Sequence, residues 1–151
     1  MKTAANTDEK YMREALKEAA AALERGEVPI GAVVVETARG RIIGRGHNLT
    51  ETLTDATAHA EMQAITAASA ALGGKYLDGC TLYVTVEPCP MCAGAMAWAQ
   101  LGRLVYGAAD PKRGFMRFGT AMLHPRTAVD AGVSAEECGT LVSGFFKKLR
   151  D

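Results

Sequence analysis

The 151-residue sequence predicts an α/β fold in which a mixed sheet is covered by helices on both faces. Three observations predict it. Ile30 to Val35 and Arg41 to His47 are strand-like runs joined by a turn at Arg39-Gly40, the pattern of an antiparallel hairpin. Thr81 to Val86 and Arg103 to Tyr106 read as strands with a helical stretch between them, and a helical crossover implies parallel pairing. Apolar residues at helical spacing recur before the hairpin, after it and near the end of the chain.

Taken in order, the first seven residues are expected to be disordered and residues 8–151 to form one domain, long enough for a sizeable core. Tyr11 or Met12, Ala15, Leu16, Ala19 and Leu23 repeat at helical spacing, and Gly26 marks the stop. The other side of that helix alternates Asp8, Glu9, Glu14 and Glu18 with Lys10, Arg13 and Lys17, a solvated face with i,i+4 pairing. After the hairpin a helix runs from His59 to Leu72 and ends at Gly73-Gly74. Thr81 to Val86 is rich in β-branched and aromatic residues, and Pro88 ends it. Pro90 falls in the first turn of a helix through Trp98, where its missing N–H would have had no partner anyway. Ser134 is placed to cap a last amphipathic helix reaching Leu149.

Apolar content of 48% and charged content of 23% are ordinary for a globular protein. No apolar run approaches the ~18 residues of a membrane span, and the N-terminus lacks a signal-peptide core. The expected compartment is the cytoplasm, where the four cysteines imply metal or free thiols before disulfides. Cys80 and Cys138 are expected as small buried core residues. Formal net charge is zero, so no global field draws in nucleic acid. Residues 111–129 nevertheless hold Lys112, Arg113, Arg117 and Arg126 and no acidic residue. With Phe115 and Phe118 alongside, this stretch reads either as a site for RNA phosphates and a stacked base or as a surface loop with two core aromatics.

The chemistry concentrates in His59-Ala60-Glu61 and, beyond residues 62–87, in Pro88-Cys89-Pro90-Met91-Cys92. Thiols three residues apart lie on one face of a helical turn and can grip one metal ion. A single imidazole completes three ligands and leaves the fourth tetrahedral position open, as in catalytic zinc sites. Both cysteines fall at a helix N-terminus, where the backbone dipole favours thiolate. His59 and Glu61 are roughly 200° apart around a helix, so they converge on one ion only if the first turn faces it. Each piece alone has a plainer reading. The cysteines also suit a thiol-redox pair, or half of a four-cysteine zinc site that isolated Cys80 and Cys138 are badly spaced to complete. His59 alone suits a core histidine, and Glu61 lies one place too far from Thr57 for a capping box. Together they favour catalytic zinc with Glu61 handling protons. Gly73-Gly74-Lys75-Tyr76 lacks phosphate-loop spacing, and Gly44-x-Gly46 lacks the third glycine of a dinucleotide loop.

His59-Ala60-Glu61 with Pro88-Cys89-x-x-Cys92 resembles the zinc nucleobase deaminases. Glu27-Val28-Pro29-Ile30-Gly31-Ala32-Val33, Thr57 to Glu61, Leu82-Tyr83-Val84-Thr85, Cys92-Ala93-Gly94-Ala95, Val105-Tyr106-Gly107-Ala108 and Phe145-Phe146 resemble the bacterial tRNA adenosine deaminases. The similarity runs from about residue 8 to 150. It implies a cytidine-deaminase-like three-layer α/β/α sandwich with a mixed sheet of about five strands, the fifth near Thr127 to Val129. It also implies one Zn2+ per subunit on His59, Cys89 and Cys92, Glu61 as general acid and base, and a homodimer. The substrate it implies is the wobble adenosine of a tRNA anticodon stem-loop. Asn48 would hydrogen-bond that substrate, Val28, Pro29 and Val86 would line the base slot, and Asp110 would contact the ribose. Lys112, Arg113, Phe115, Arg117, Phe145, Phe146 and Lys147 are the candidate RNA contacts. The family members compared carry small residues after Lys-x-Gly, where this chain has Phe115-Met116-Arg117-Phe118. Two other readings stay open. Pro-Cys-Pro-Met-Cys also resembles guanine deaminases, so a free base or nucleoside (guanine, cytosine) is an alternative substrate. A zinc-binding or thiol-redox module without hydrolytic activity is the third, and Glu61 argues against it.

Overall fold

The computed structural model describes residues 4–151, with side chains from residue 6. Helix α1 (Ala4–Glu24) leads into strands β1 (Gly31–Glu36) and β2 (Arg41–His47), then α2 (Ala60–Leu72), β3 (Cys80–Val86), α3 (Pro90–Trp98) and β4 (Arg103–Ala108). Two short 3-10 turns, Phe115–Arg117 and Thr120–Met122, precede β5 (Ala128–Ala131) and α4 (Ala135–Arg150). The strands form one five-stranded sheet in the order β2-β1-β3-β4-β5. β1 runs antiparallel to β2 and β3, whereas β3, β4 and β5 are parallel. The predicted hairpin, crossover and fifth strand are all present.

Alternation along the strands builds the three layers. Ala32, Val34, Leu82, Val84, Leu104 and Tyr106 face Ala60, Ala64 and Ala68 of α2 and Cys92 and Met96 of α3. Val33, Val35, Tyr83 and Val105 point the other way, onto Tyr11, Met12 and Ala15 of α1 and Cys138 of α4. Central β3 is buried along its whole length, as a strand covered on both faces must be. Cys80 and Cys138 are the buried core residues expected. No helix among the described residues is long and apolar enough to cross a membrane.

Two expectations are corrected. Residues 4–7, expected to be disordered, are the first turn of α1, because Ala4 and Ala5 extend a helix already committed by its buried stripe. Residues 1–3 lie outside the described residues. Ser134 stands at the N-cap position of α4 but in left-handed backbone (φ 54°), and its side chain makes no capping bond. Glu136 and Glu137 in the first turn complement the helix dipole instead.

Register brings four segments to one end of the sheet. His47 lies opposite Gly31, Ala32 opposite Val84, and Val86 opposite Ala108. The Gly31 amide donates to Thr85 Oγ1 at 3.2 Å. The start of β1 therefore sits beside the ends of β2, β3 and β4. Open α/β sheets bind ligands beyond the carboxyl ends of their strands. α2 reaches this end by packing tightly on β2. A Cβ on Gly44 would come within 2.8 Å of the Ala68 nitrogen, and one on Gly46 within 2.6 Å of the Ala64 nitrogen.

Candidate functional site

α2 and α3 both begin at this end of the sheet. His59 is the N-cap residue of α2 and Cys89 that of α3, each in extended backbone and neither making a side-chain capping bond. Their side chains are thereby left to face each other. Pro90 occupies the first turn of α3, as predicted, and Cys92 follows one turn in and fully buried. His59 Nδ1 lies 3.6 Å from both Cys89 Sγ and Cys92 Sγ. Among the described residues these form the one cluster of donors suited to a metal, all within 4.8 Å of one another. Tetrahedral zinc with Zn–S about 2.3 Å and Zn–N about 2.0 Å requires S···N near 3.5 Å and S···S near 3.8 Å. The two S···N distances match that group, and among the described residues no fourth donor joins the three.

Protein charges alone already favour one thiolate in the cluster, at Cys89. The Cys92 thiol hydrogen-bonds Cys89 and, against burial and with help from His59, brings the Cys89 thiol down to about 4. Bonding to that thiolate, ahead of burial, pushes Cys92 up. The same thiolate raises His59 above its ordinary value, although burial opposes it.

Glu61, in the first turn of α2, is 4% exposed. Burial pushes its carboxyl up to about 7. It interacts with both His59 and Cys92, so the first turn does face the cluster.

The predicted substrate residues gather at the same end. The Asn48 backbone amide donates to Ile30 O at 3.2 Å, which puts Asn48 beside the residue that follows Val28 and Pro29. Asn48 is 7% exposed, and its Oδ1 has no hydrogen-bond partner. A buried acceptor left unpaired is unusual and suits a residue that awaits a ligand's donor. Val86 is buried at the end of β3. Asp110 follows β4, and its Oδ1 accepts the amides of Lys112 and Arg113 at 3.2 and 3.1 Å. One carboxylate oxygen is thus engaged in ordering its own loop.

The candidate RNA contacts divide. Lys112, Arg113, Arg117, Phe146 and Lys147 are exposed, and Phe145 is half-buried and edge-on to Phe146 at 5.4 Å. Phe115 is a correction, being fully buried and edge-on to Tyr106 at 6.1 Å, so it packs the core and cannot stack a base. Phe118, three residues on, is 61% exposed.

Two further residues escaped the sequence reading. Glu27 is buried and accepts the amides of Glu51 and Thr52 and the Thr52 hydroxyl, bracing the loop from Asn48 to His59. Glu87 is buried and accepts the amides of Asp110 and Met116, both at 3.1 Å. Each is an acid directly before the Val-Pro or Pro-Cys step at the site, and that is the signal they left in the sequence.

Comparison with known proteins agrees with this geometry. The family model described as MafB19-like deaminase matches residues 6–150. The tRNA-specific adenosine deaminase of Bacillus subtilis is 51% identical over 150 residues, 95% of this chain and 91% of that one. A solved structure from studies of A-to-I editing by tRNA:A34 deaminases at the wobble position superposes with a TM-score of 0.81 at 45% identity, covering 87% of this chain and 98% of that one. The guanine deaminase of Nitrosomonas europaea has a TM-score of 0.80 at 25% identity, covering 91% of this chain and 83% of its own. A chain so matched from end to end belongs to the MafB19-like deaminases and, among them, to the family of the tRNA-specific adenosine deaminases.

Proposed function

We propose that this protein is a zinc-dependent hydrolytic deaminase that converts adenosine to inosine at the wobble position of a tRNA anticodon loop. One observation carries the reading: a three-donor cluster of metal-site geometry with a buried carboxylate beside it, in a chain 51% identical to a tRNA-specific adenosine deaminase. His59, Cys89 and Cys92 would hold one zinc ion per subunit. When bound, zinc supplies Lewis acidity that brings water at its open position to a pKa near ~7.

The chain's own residues do the rest. Glu61 accepts a proton from the attacking water and delivers it to the ring nitrogen next to C6. A C6–O bond forms; Glu61 then takes the proton of the new C6 hydroxyl and passes it to the amino group, so that the C6–N bond breaks, ammonia leaves and the C6 carbonyl remains. Water and adenosine thus give inosine and ammonia. Asn48 offers its unpaired Oδ1 to a donor on the base. Val28, Pro29 and Val86 wall the slot, and the second carboxylate oxygen of Asp110 serves the ribose. Exposed Lys112, Arg113, Arg117, Phe146 and Lys147, with half-buried Phe145, would meet the anticodon arm. A tRNA substrate implies the cytoplasm. A homodimer would cover α3 residues Met91 and Trp98, which are 36% and 86% exposed.

The test is ammonia and inosine release from an anticodon stem-loop with adenosine at the wobble position, run beside adenosine, guanine, cytosine and cytidine. Turnover of the stem-loop is expected, with binding that weakens steeply as salt rises. Turnover of a free base alone would replace this reading with the guanine-type one.

A further inference from the structure

We infer that Arg117 and Phe118 form a stacking platform for an unpaired RNA base next to the target nucleotide, and that Glu87 holds this platform beside the metal cluster; the inference rests on the tRNA reading above.

The attachment comes first. Glu87 directly precedes Pro88 and Cys89, and its buried carboxylate accepts the amides of both Asp110 and Met116. The Phe115 amide donates to Pro88 O at 2.9 Å. Gly114 lies so close that a Cβ there would collide with the Glu87 carboxylate. Phe115 plugs the core behind it. The loop after β4 is therefore fastened at several points to the residues leading into the first cysteine. Phe118 is three residues beyond Phe115, at most about 11 Å of chain.

What the loop presents lies outside the core. Phe118 is 61% exposed and Met116 44% exposed, while neighbouring Phe115 already supplies the core contact. The Arg117 guanidinium lies 5.0 Å from the Phe118 ring centroid, and its Nε donates to Gly114 O at 3.2 Å. A planar cation is thus held near a ring before any partner arrives, which lowers the ordering cost of binding. Residues 111–129 contain no acid, and exposed Lys112 and Arg113 lie just upstream. An accessible π-face, a held cation and a local positive charge match one ligand chemistry, an unpaired nucleotide with its phosphate.

The experiment uses the full-length protein and anticodon stem-loops in which 2-aminopurine replaces the base on either side of the target. Binding to the unaltered protein should quench one of the two probes. Phe118→Ala should abolish that quenching and raise Kd by roughly 5- to 150-fold, the range of one base–aromatic stack. Phe118→Tyr should keep both. Arg117→Ala should weaken binding and lower the salt slope by about one. Glu87→Gln offers one carbonyl oxygen where two oxygens each held an amide, so it should lose quenching in the same direction. Binding by Phe118→Ala within twofold of the unaltered protein, with quenching intact, would overturn the platform while leaving the tRNA reading standing. So would Phe118→Ala turning a dimer into monomers, since Phe118 would then be a subunit contact. Failure of the unaltered protein to bind either stem-loop would remove the tRNA reading itself, and the platform with it.

Discussion

Glu61 owes its place beside the cluster to where its backbone is, not to its distance along the sequence from the cysteines. It sits in the first turn of α2, one residue past Ala60 and buried under the cluster that His59 heads. Burial that raises its proton affinity towards neutrality suits a group that must take a proton and give it back in one cycle. Glu61→Gln removes that capacity while keeping the shape. The variant should retain one zinc per chain by metal analysis and lose turnover by ~10²–10⁴-fold. Near-normal turnover would take Glu61 out of the mechanism. Cys89→Ala should do the reverse and fail to retain zinc, since an imidazole and one thiolate leave only two protein ligands.

At the scale of elements, α1 is tied to the far edge of the sheet by charge. Arg103 of β4 grips both Asp8 oxygens at 2.9 and 2.8 Å and also reaches Asp130 of β5, while the Tyr83 hydroxyl donates to Asp8 at 2.7 Å. Burial alone would raise the Asp8 carboxyl, but Arg103 and Tyr83 hold it below its ordinary value of 3.8. A carboxylate depressed in the folded state stabilises above its unfolded pKa and loses that contribution as pH falls through the folded value. Acid should therefore loosen α1 below about pH 4. Asp8→Asn should cost about 1.5–3 kcal/mol at neutral pH and flatten that acid limb, read by urea unfolding across pH. An unchanged limb would mean that other carboxylates govern it. A second prediction concerns Gly46, where an added Cβ meets the α2 backbone. Gly46→Ala should push α2, with His59 and Glu61 at its head, away from α3, and so weaken zinc retention without touching a ligand. Metal content equal to that of the parent protein would contradict this. Much at this scale was legible beforehand. Hairpin, crossover and helices follow from alternation and from Pro90, and the ligands lie in two compact local motifs. Phe115 was not legible, because whether an aromatic in a basic loop turns inward depends on Tyr106, which the chain brings to it only in three dimensions. Glu27 and Glu87 were hidden for the same reason, since their partners are amides of distant loops that carry no side-chain signature.

For the molecule as a whole, the cluster is also a cross-link. It joins the start of α2 to the start of α3, two helices whose buried residues share the core on one face of the sheet. An ion that binds the folded arrangement and not the unfolded chain stabilises it by mass action, about 4.1 kcal/mol when free metal exceeds Kd a thousandfold. For a domain of this size each kcal/mol moves Tm by about 2–4 °C, so zinc should raise Tm by roughly 8–16 °C. The far layer, built by α1 and α4 on the opposite face, needs no metal to pack. The protein stripped by a chelator should accordingly stay folded at room temperature, melt lower, and recover when zinc is returned. Glu61→Gln should show the same shift, because the ligands are intact, and Cys89→Ala should show none at equal zinc. If stripping leaves Tm unmoved in the parent protein, the three donors are not holding α2 against α3 through an ion. Lost activity on chelation would then have to come from elsewhere, and this is why the melt is the decisive measurement and the assay is not.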